Sequence, residues 1–187
     1  VCIPSIYQDE LGAVWLGTTE GLNRYNGKDV KVFQPSESNN GLTNNEVNEL
    51  CGDKNGRMYI RSGNDLIKLD IYTEQFTCLR QKGVYGLFCK KDTLWVSCAD
   101  GIYYYTGQGT ELTFFARVQK GFVGRALYVD KETVWVVTRK YLVAISREDP
   151  LRQEILLTLD KGNCILGDSS GNIWVGAWNG LYRISPD

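Results

Sequence analysis

The feature that most constrains this chain is an aromatic residue set among aliphatics that recurs at Trp15, Tyr59, Trp95, Trp135 and Trp174, spaced 44, 36, 40 and 39 residues apart. Six positions after each come Gly21, Asp65, Gly101, Tyr141 and Gly180, and next Leu22, Leu66, Ile102, Leu142 and Leu181. A fixed period of about 40 residues marks a repeat architecture. Around each anchor, in VWLGT, MYIRS, LWVSC, VWVVT and IWVGA, apolar residues alternate with a period near two, which is the strand pattern. The β-branched and aromatic composition suits a half-buried pleated surface. No window shows helical spacing. About 40 residues hold four short strands with their turns, the unit from which β-propeller blades are made. The expected fold class is all-β: a propeller of four-stranded antiparallel blades, about five of them. They form one domain over 1–187, with blades near 1–40, 41–80, 81–119, 120–160 and 161–187. The ring is either complete and small or a section of a larger one.

Blade one is expected to run through Ser5–Tyr7, Ala13–Thr18, Gly21–Tyr25 and Val30–Phe33. Asn26–Gly27 reads as a two-residue type I′ hairpin, because that turn needs positive φ at both positions. Asp-x-x-Gly turns precede three of the anchors, at Asp9–Gly12, Asp53–Gly56 and Asp168–Gly171. There Asp bonds local amides and Gly takes a left-handed conformation. Blades three and four carry a shorter version, KDTLWV and KETVWV. PSESNNGLTNN reads as a long connection between blades. Outer strands are expected over Gln75–Leu79, Leu112–Phe115 and Glu154–Leu159. The fifth blade lacks one, and Val1–Ile3 is the free strand candidate to complete it, which would spare two exposed sheet edges.

Composition narrows the function. The net charge of −1 argues against a nucleic-acid partner, since phosphate neutralisation needs clustered Lys and Arg. The adjacent basic pairs Lys90–Lys91 and Arg139–Lys140 read as solvated turns. No apolar run approaches the roughly 20 residues of a membrane helix. No N-terminal segment has the form of a signal peptide. The missing initiator Met suggests an excised or processed piece, with any membrane contact made through segments outside these residues. The six cysteines form no CxxC pair and there is no His, so zinc sites of ordinary spacing are not expected. Free, buried cysteines acting as small hydrophobes are the main reading, with one disulfide left open.

Without His there is no Ser/His/Asp or Cys/His relay. A glycosidase needs two carboxyls about 5–10 Å apart; the repeated aspartates sit at turns, and Glu46 and Glu49 have no equivalents in other blades. No catalytic residue, metal site or cofactor is expected. Binding is the better expectation. The loops between second and third strands share one face with the connections between blades, and they vary while the strands stay alike, which is where specificity resides. The candidate ligand residues are Trp178, Asn179, Arg61, Asn64, Glu20, Asp100, Arg139 and Tyr141. The five anchors are structural.

Taken together, DELGAVWLGTTEGLNRYNG, NNGLTNNEVNELCGDKNGRMYI and GDSSGNIWVGAWNGLYRI resemble the two-component regulator propeller repeat. The first and last match it best, through Asp9, Gly12, Trp15, Gly17, Thr18, Gly21, Leu22, Arg24 and Tyr25, and through Asp168, Gly171, Trp174, Gly176, Gly180, Leu181 and Arg183. The second is looser, with Tyr59 for Trp and Asp65 for Gly, and the third and fourth keep the core alone. The resemblance implies the periplasmic sensor region of a Bacteroides-type hybrid histidine kinase. It would be non-catalytic, respond to oligosaccharides, work as a homodimer in the full receptor and belong to a larger ring, with kinase modules further along the chain. A protein-interaction scaffold, or a polysaccharide-active propeller enzyme such as a lyase or glycosidase, are the alternatives. The motif residues are structural, so the resemblance carries no ligand residue over.

Overall fold

Alternating strands need a partner for each apolar face, and here the faces partner one another in sequence order. The computed structural model describes residues 2–35 and 41–186. Blade one comprises β1 (Ser5–Gln8), β2 (Val14–Thr18), β3 (Gly21–Tyr25) and β4 (Val30–Phe33). Blade two comprises β5 (Val47–Gly52), β6 (Arg57–Ser62), β7 (Asp65–Asp70) and β8 (Gln75–Arg80). Blade three comprises β9 (Val84–Lys90), β10 (Thr93–Cys98), β11 (Gly101–Tyr105) and β12 (Thr113–Ala116). Blade four comprises β13 (Gly124–Val129), β14 (Thr133–Thr138), β15 (Tyr141–Ser146) and β16 (Gln153–Thr158). Blade five comprises β17 (Cys164–Gly167), β18 (Ile173–Ala177) and β19 (Gly180–Ile184). Each of the first four is a four-stranded antiparallel meander and the fifth has three strands. A 3₁₀ turn at Gln119–Gly121 is the one helical element among the described residues.

The sheets stack in chain order through their inner strands, β1 on β5, β5 on β9, β9 on β13 and β13 on β17, as propeller blades do. Between blades one and two lie Trp15, Leu22, Val47, Leu50 and Met58. Tyr59, Leu66, Val84, Leu87 and Leu94 fill the next gap, and Trp95, Ile102, Leu127, Val129 and Val136 the third. Val137, Leu142, Ile173 and Val175, flanked by Trp135, fill the last. Trp15 and Tyr59 are fully buried and Trp95 nearly so. Trp135 and Trp174 are half-buried; the face Trp174 stands on meets no further sheet among the described residues.

The Asp-x-x-Gly turn does more than close a hairpin. Asp9 Oδ1 accepts from the Leu11 and Ala13 amides at 3.0 and 2.9 Å, and its Oδ2 accepts the Trp15 indole N–H at 2.7 Å. Asp168 repeats this with the Ser170 and Asn172 amides, both at 2.9 Å, and the Trp174 indole at 2.8 Å. Blade four keeps the device in its shortened turn, where Asp130 accepts the Trp135 indole at 2.6 Å. In blade two the anchor is a tyrosine with no indole to give, and the Arg57 guanidinium takes the free oxygen of Asp53.

Three expectations are corrected. Val1 lies outside the described residues, but Cys2 does not add a strand to blade five: its carbonyl accepts from the Thr19 amide of blade one at 3.3 Å. The terminal faces are accordingly bare. Ile6, Val30 and Val32 on blade one are 66, 60 and 54% exposed, and Leu166 and Leu181 on blade five 64 and 69%. Second, Asn26–Gly27 is not a two-residue turn, because Tyr25 pairs with Val30 and leaves a four-residue loop, Asn26–Asp29. Only Gly27 is left-handed there; Asn26 instead accepts the Lys28 and Asp29 amides through Oδ1 at 2.9 and 2.8 Å. Third, the cysteines are mostly not buried. Cys98 alone is; Cys51 and Cys89 are half-buried, and Cys2, Cys78 and Cys164 are exposed. An apolar neighbourhood in sequence does not reveal whether a strand's face is covered, and Cys78 lies on an outermost strand while Cys164 lies on the uncovered blade. Within the PSESNNGLTNN connection, residues 36–40 lie outside the described residues.

Candidate functional site

The inner strands converge, and the crowding is severe enough to dictate residue size. A Cβ on Gly17 would fall 2.7 Å from the Val47 carbonyl oxygen, and one on Gly86 2.7 Å from that of Arg125. Gly17 and Gly86 occupy one rung of the repeated ladder, two residues past each anchor. That rung is Ser5 with Gly17, Gly86 with Ser97, Ala126 with Val137 and Cys164 with Gly176. In blade two alone it is a charged pair, Glu49 with Arg61. Their ion pair measures 3.3 Å, and Arg61 also donates to the Gly63 carbonyl at 3.3 Å. Burial pushes the Glu49 carboxyl above the usual carboxylate range, against the opposing pull of Arg61.

One residue before that rung, three inner strands carry a bulge. The ladder passes from Val47 to Glu49, from Val84 to Gly86 and from Gly124 to Ala126, leaving Asn48, Tyr85 and Arg125 unpaired. A bulge re-aims the extra side chain, and all three line a cavity of about 700 Å³ at the hub. The residues at the same step in the other blades, Pro4 and Asn163, line it too, so every blade contributes. Positions of one register thus present an amide, a phenol, a guanidinium, a second amide and a proline to a common space. Tyr85 and Arg125 also line an adjoining depression of about 400 Å³ with Phe122, Val123, Thr138, Arg139 and Lys140. The Phe122 ring lies 4.9 Å from that of Tyr141. Among the described residues, none of Arg125, Arg139 and Lys140 forms an ion pair.

Against this site the eight candidate residues divide. Arg61 and Asn64 line the hub cavity. Arg139 lines the adjoining depression, and Tyr141 borders it through Phe122. The other four stand on their own turns. Trp178 is 76% exposed, with the Lys161 ammonium 4.0 Å from its ring centre. Asn179 accepts the Asp160 amide at 3.2 Å and donates to Tyr182 at 2.6 Å. Asp100 is held by Arg80 and Tyr103, both at 2.8 Å. Burial raises the Asp100 carboxyl, but those hydrogen bonds outweigh it and leave the group below its usual value. Glu20 is exposed, its carbonyl accepting from Gln34 at 3.2 Å.

These turns do lie beside the connections between blades. Gly21 donates to Asn45, Gly63 to Glu46, Ala99 to Gly83 and Trp178 to Asp160, at 2.6–2.9 Å. Sequence reasoning missed Asn48, Tyr85, Arg125 and Asn163. No single spacing signals them: they stand 11, 10, 10 and 11 residues ahead of their anchors, because the turns of blades three and four are one residue shorter.

No protein-family model matches the chain, and no curated protein matches it by sequence. Solved structures do. An extracellular domain ascribed to a hybrid two-component system of B. thetaiotaomicron aligns over 98% of this chain and 28% of its own, with a TM-score of 0.83 and 21% identity. A second, ascribed to a one-component system of the same organism, aligns over 99% of this chain and 29% of its own at a TM-score of 0.81 and 21% identity. Streptogramin B lyase aligns over 99% of this chain and 67% of its own at 0.73 and 18% identity. The chain therefore spans less than a third of the two extracellular domains. Its fold is that of extracellular domains of Bacteroides regulators, and the same fold also serves an enzyme.

Proposed function

We propose that this chain is an arc of a larger propeller in the extracytoplasmic sensor region of a two-component receptor, and that it binds an oligosaccharide at its hub. The carrying observation is the ring of Pro4, Asn48, Tyr85, Arg125 and Asn163, one residue from each blade on a shared cavity. Variable side chains on a repeated frame are what recognition requires and stability does not. Amides and guanidinium suit hydroxyl groups, and the Tyr85 and Phe122 rings supply stacking faces. Arg125, Arg139 and Lys140 favour a sugar carrying a carboxylate over a neutral one. The likeness to the extracellular domains and the two bare terminal blade faces support the receptor context and the larger ring. In that setting the ring would continue into further blades, the receptor would pair as a homodimer, and the domain would lie in the periplasm. Binding at the hub would act by favouring one packing of the assembly, which requires different affinities for its two states. Trp178, on the turn beside Asp160, is the outlying contact for a longer ligand.

Titration calorimetry of the chain against neutral and uronate-containing oligosaccharides tests this. Saturable binding lost on Arg125→Ala or Tyr85→Ala supports the hub seat; binding indifferent to both overturns it. A second reading, a polysaccharide-active enzyme, draws on the lyase likeness and on the raised carboxyl of Glu49. Turnover of a polysaccharide by the purified chain, lost on Glu49→Gln, would establish that reading instead.

A further inference from the structure

The cysteines offer an observation that ligand binding does not use. Cys51 lies on β5 and Cys89 on β9, the inner strands of successive blades. Both sit at the edge of the same interblade cluster, around Tyr59, Leu87 and Leu94. Their sulfurs are 2.6 Å apart across the interface, whereas unbonded sulfurs pack farther apart than this. We infer that Cys51 and Cys89 form a disulfide that joins blade two to blade three along the wall of the hub. The position explains the choice of partner. Cys51 is directly opposite Tyr59 on its own sheet, so it shares the face that blade three covers, and β9 presents Cys89 to that face at the same height. Cys98 is buried elsewhere in the cluster, and Cys2, Cys78 and Cys164 are exposed.

The chemistry balances with a small disulfide as oxidant. Oxidised glutathione, or the active-site disulfide of a thiol–disulfide oxidoreductase, exchanges with one thiol, and the second thiol displaces it. One Sγ–Sγ bond forms, the oxidant's S–S bond breaks, and both protons and both electrons leave as two thiols of the oxidant. Burial first, and the neighbouring Cys89 second, push the Cys51 thiol well above its ordinary value. Thiolate is the attacking species, and the burial that raises the Cys51 thiol slows its exchange once the blades have closed. The oxidising periplasm of the proposed function is where such a bond persists, but its formation in a glutathione buffer does not depend on that setting or on any ligand.

The test is to refold the chain in a glutathione redox buffer and quench it in acid. It is then unfolded in an alkylating reagent and its peptides are mapped without reduction. A Cys51–Cys89 linked peptide is expected, with Cys2, Cys78, Cys98 and Cys164 alkylated. Reduction should lower the melting temperature by about 5–15 °C, a shift absent from the Cys51→Ala/Cys89→Ala variant. Six alkylated thiols in the refolded chain, or a linked peptide joining any other pair, would overturn the inference. Mapping uses the unaltered sequence, so a variant that fails to fold does not blunt it.

Discussion

The smallest unit with a consequence here is a carboxylate under an indole. Asp9, Asp130 and Asp168 each accept an anchor's indole N–H while holding the amides of their own turn, so the polar edge of a core tryptophan is satisfied as its rings are buried. Blade three has no such aspartate; the Arg147 guanidinium lies 5.6 Å from the Trp95 ring centre and Phe115 meets it edge-on at 5.1 Å. Trp95→Ala should therefore cost about 3–5 kcal/mol in lost packing. Calorimetry would show it as a melting point lower by roughly 6–20 °C; a change under about two degrees would deny Trp95 its packing role. The pH dependence follows from Asp168. Hydrogen bonds from Trp174 and then Asn172 lower its carboxyl to about 2, against about 3.9 in an unfolded chain. A depressed folded value means stabilisation that is full above the unfolded value and is lost as pH falls through the folded one. Blade five should loosen between about pH 4 and pH 2, read as a change in tryptophan fluorescence, and Asp168→Asn should flatten that limb.

At the level of the strand and its turns, blade convergence sets the rules. Gly17 faces the Val47 carbonyl with no room for a methyl group, so Gly17→Ala should force β2 away from β5 and cost about 1–3 kcal/mol, measured by denaturant titration. Unchanged stability would mean that the blades adjust independently. The bulges at Asn48, Tyr85 and Arg125 are the other product of convergence, because a strand that must bend toward an axis accommodates one extra residue on its inner side. Those bends were not legible in the sequence. Alternation identified the strands of blade one and the missing outer strand of blade five, since apolar residues at every second position leave few alternatives. It said nothing of the skipped residues, for a bulge changes where a side chain points without changing composition.

At the scale of the whole fold, the described residues leave one face of each end blade exposed. Leu166 and Leu181 on one end, and Ile6, Val30 and Val32 on the other, are residues of the type that elsewhere in the chain fill a gap between blades. In a larger ring they would do the same. Leu181→Lys should accordingly leave the melting of this chain within about two degrees, as surface changes do. The same change should destabilise a longer chain bearing the next blade by about 2–5 kcal/mol, as core changes do. Equal, small effects in both would place Leu181 at a true surface.

Periodicity alone determined the sheets, their order and the anchors at their interfaces, because a repeat that cannot cover its own apolar face must stack on a copy of itself. Only the tertiary structure decided which residues meet at the hub. Asn48, Tyr85, Arg125 and Asn163 are scattered over the chain, and only the two asparagines are chemically alike. What they share is a step on successive inner strands, one residue before the crowded rung, and closeness of that kind arises from stacking geometry, which local sequence does not encode.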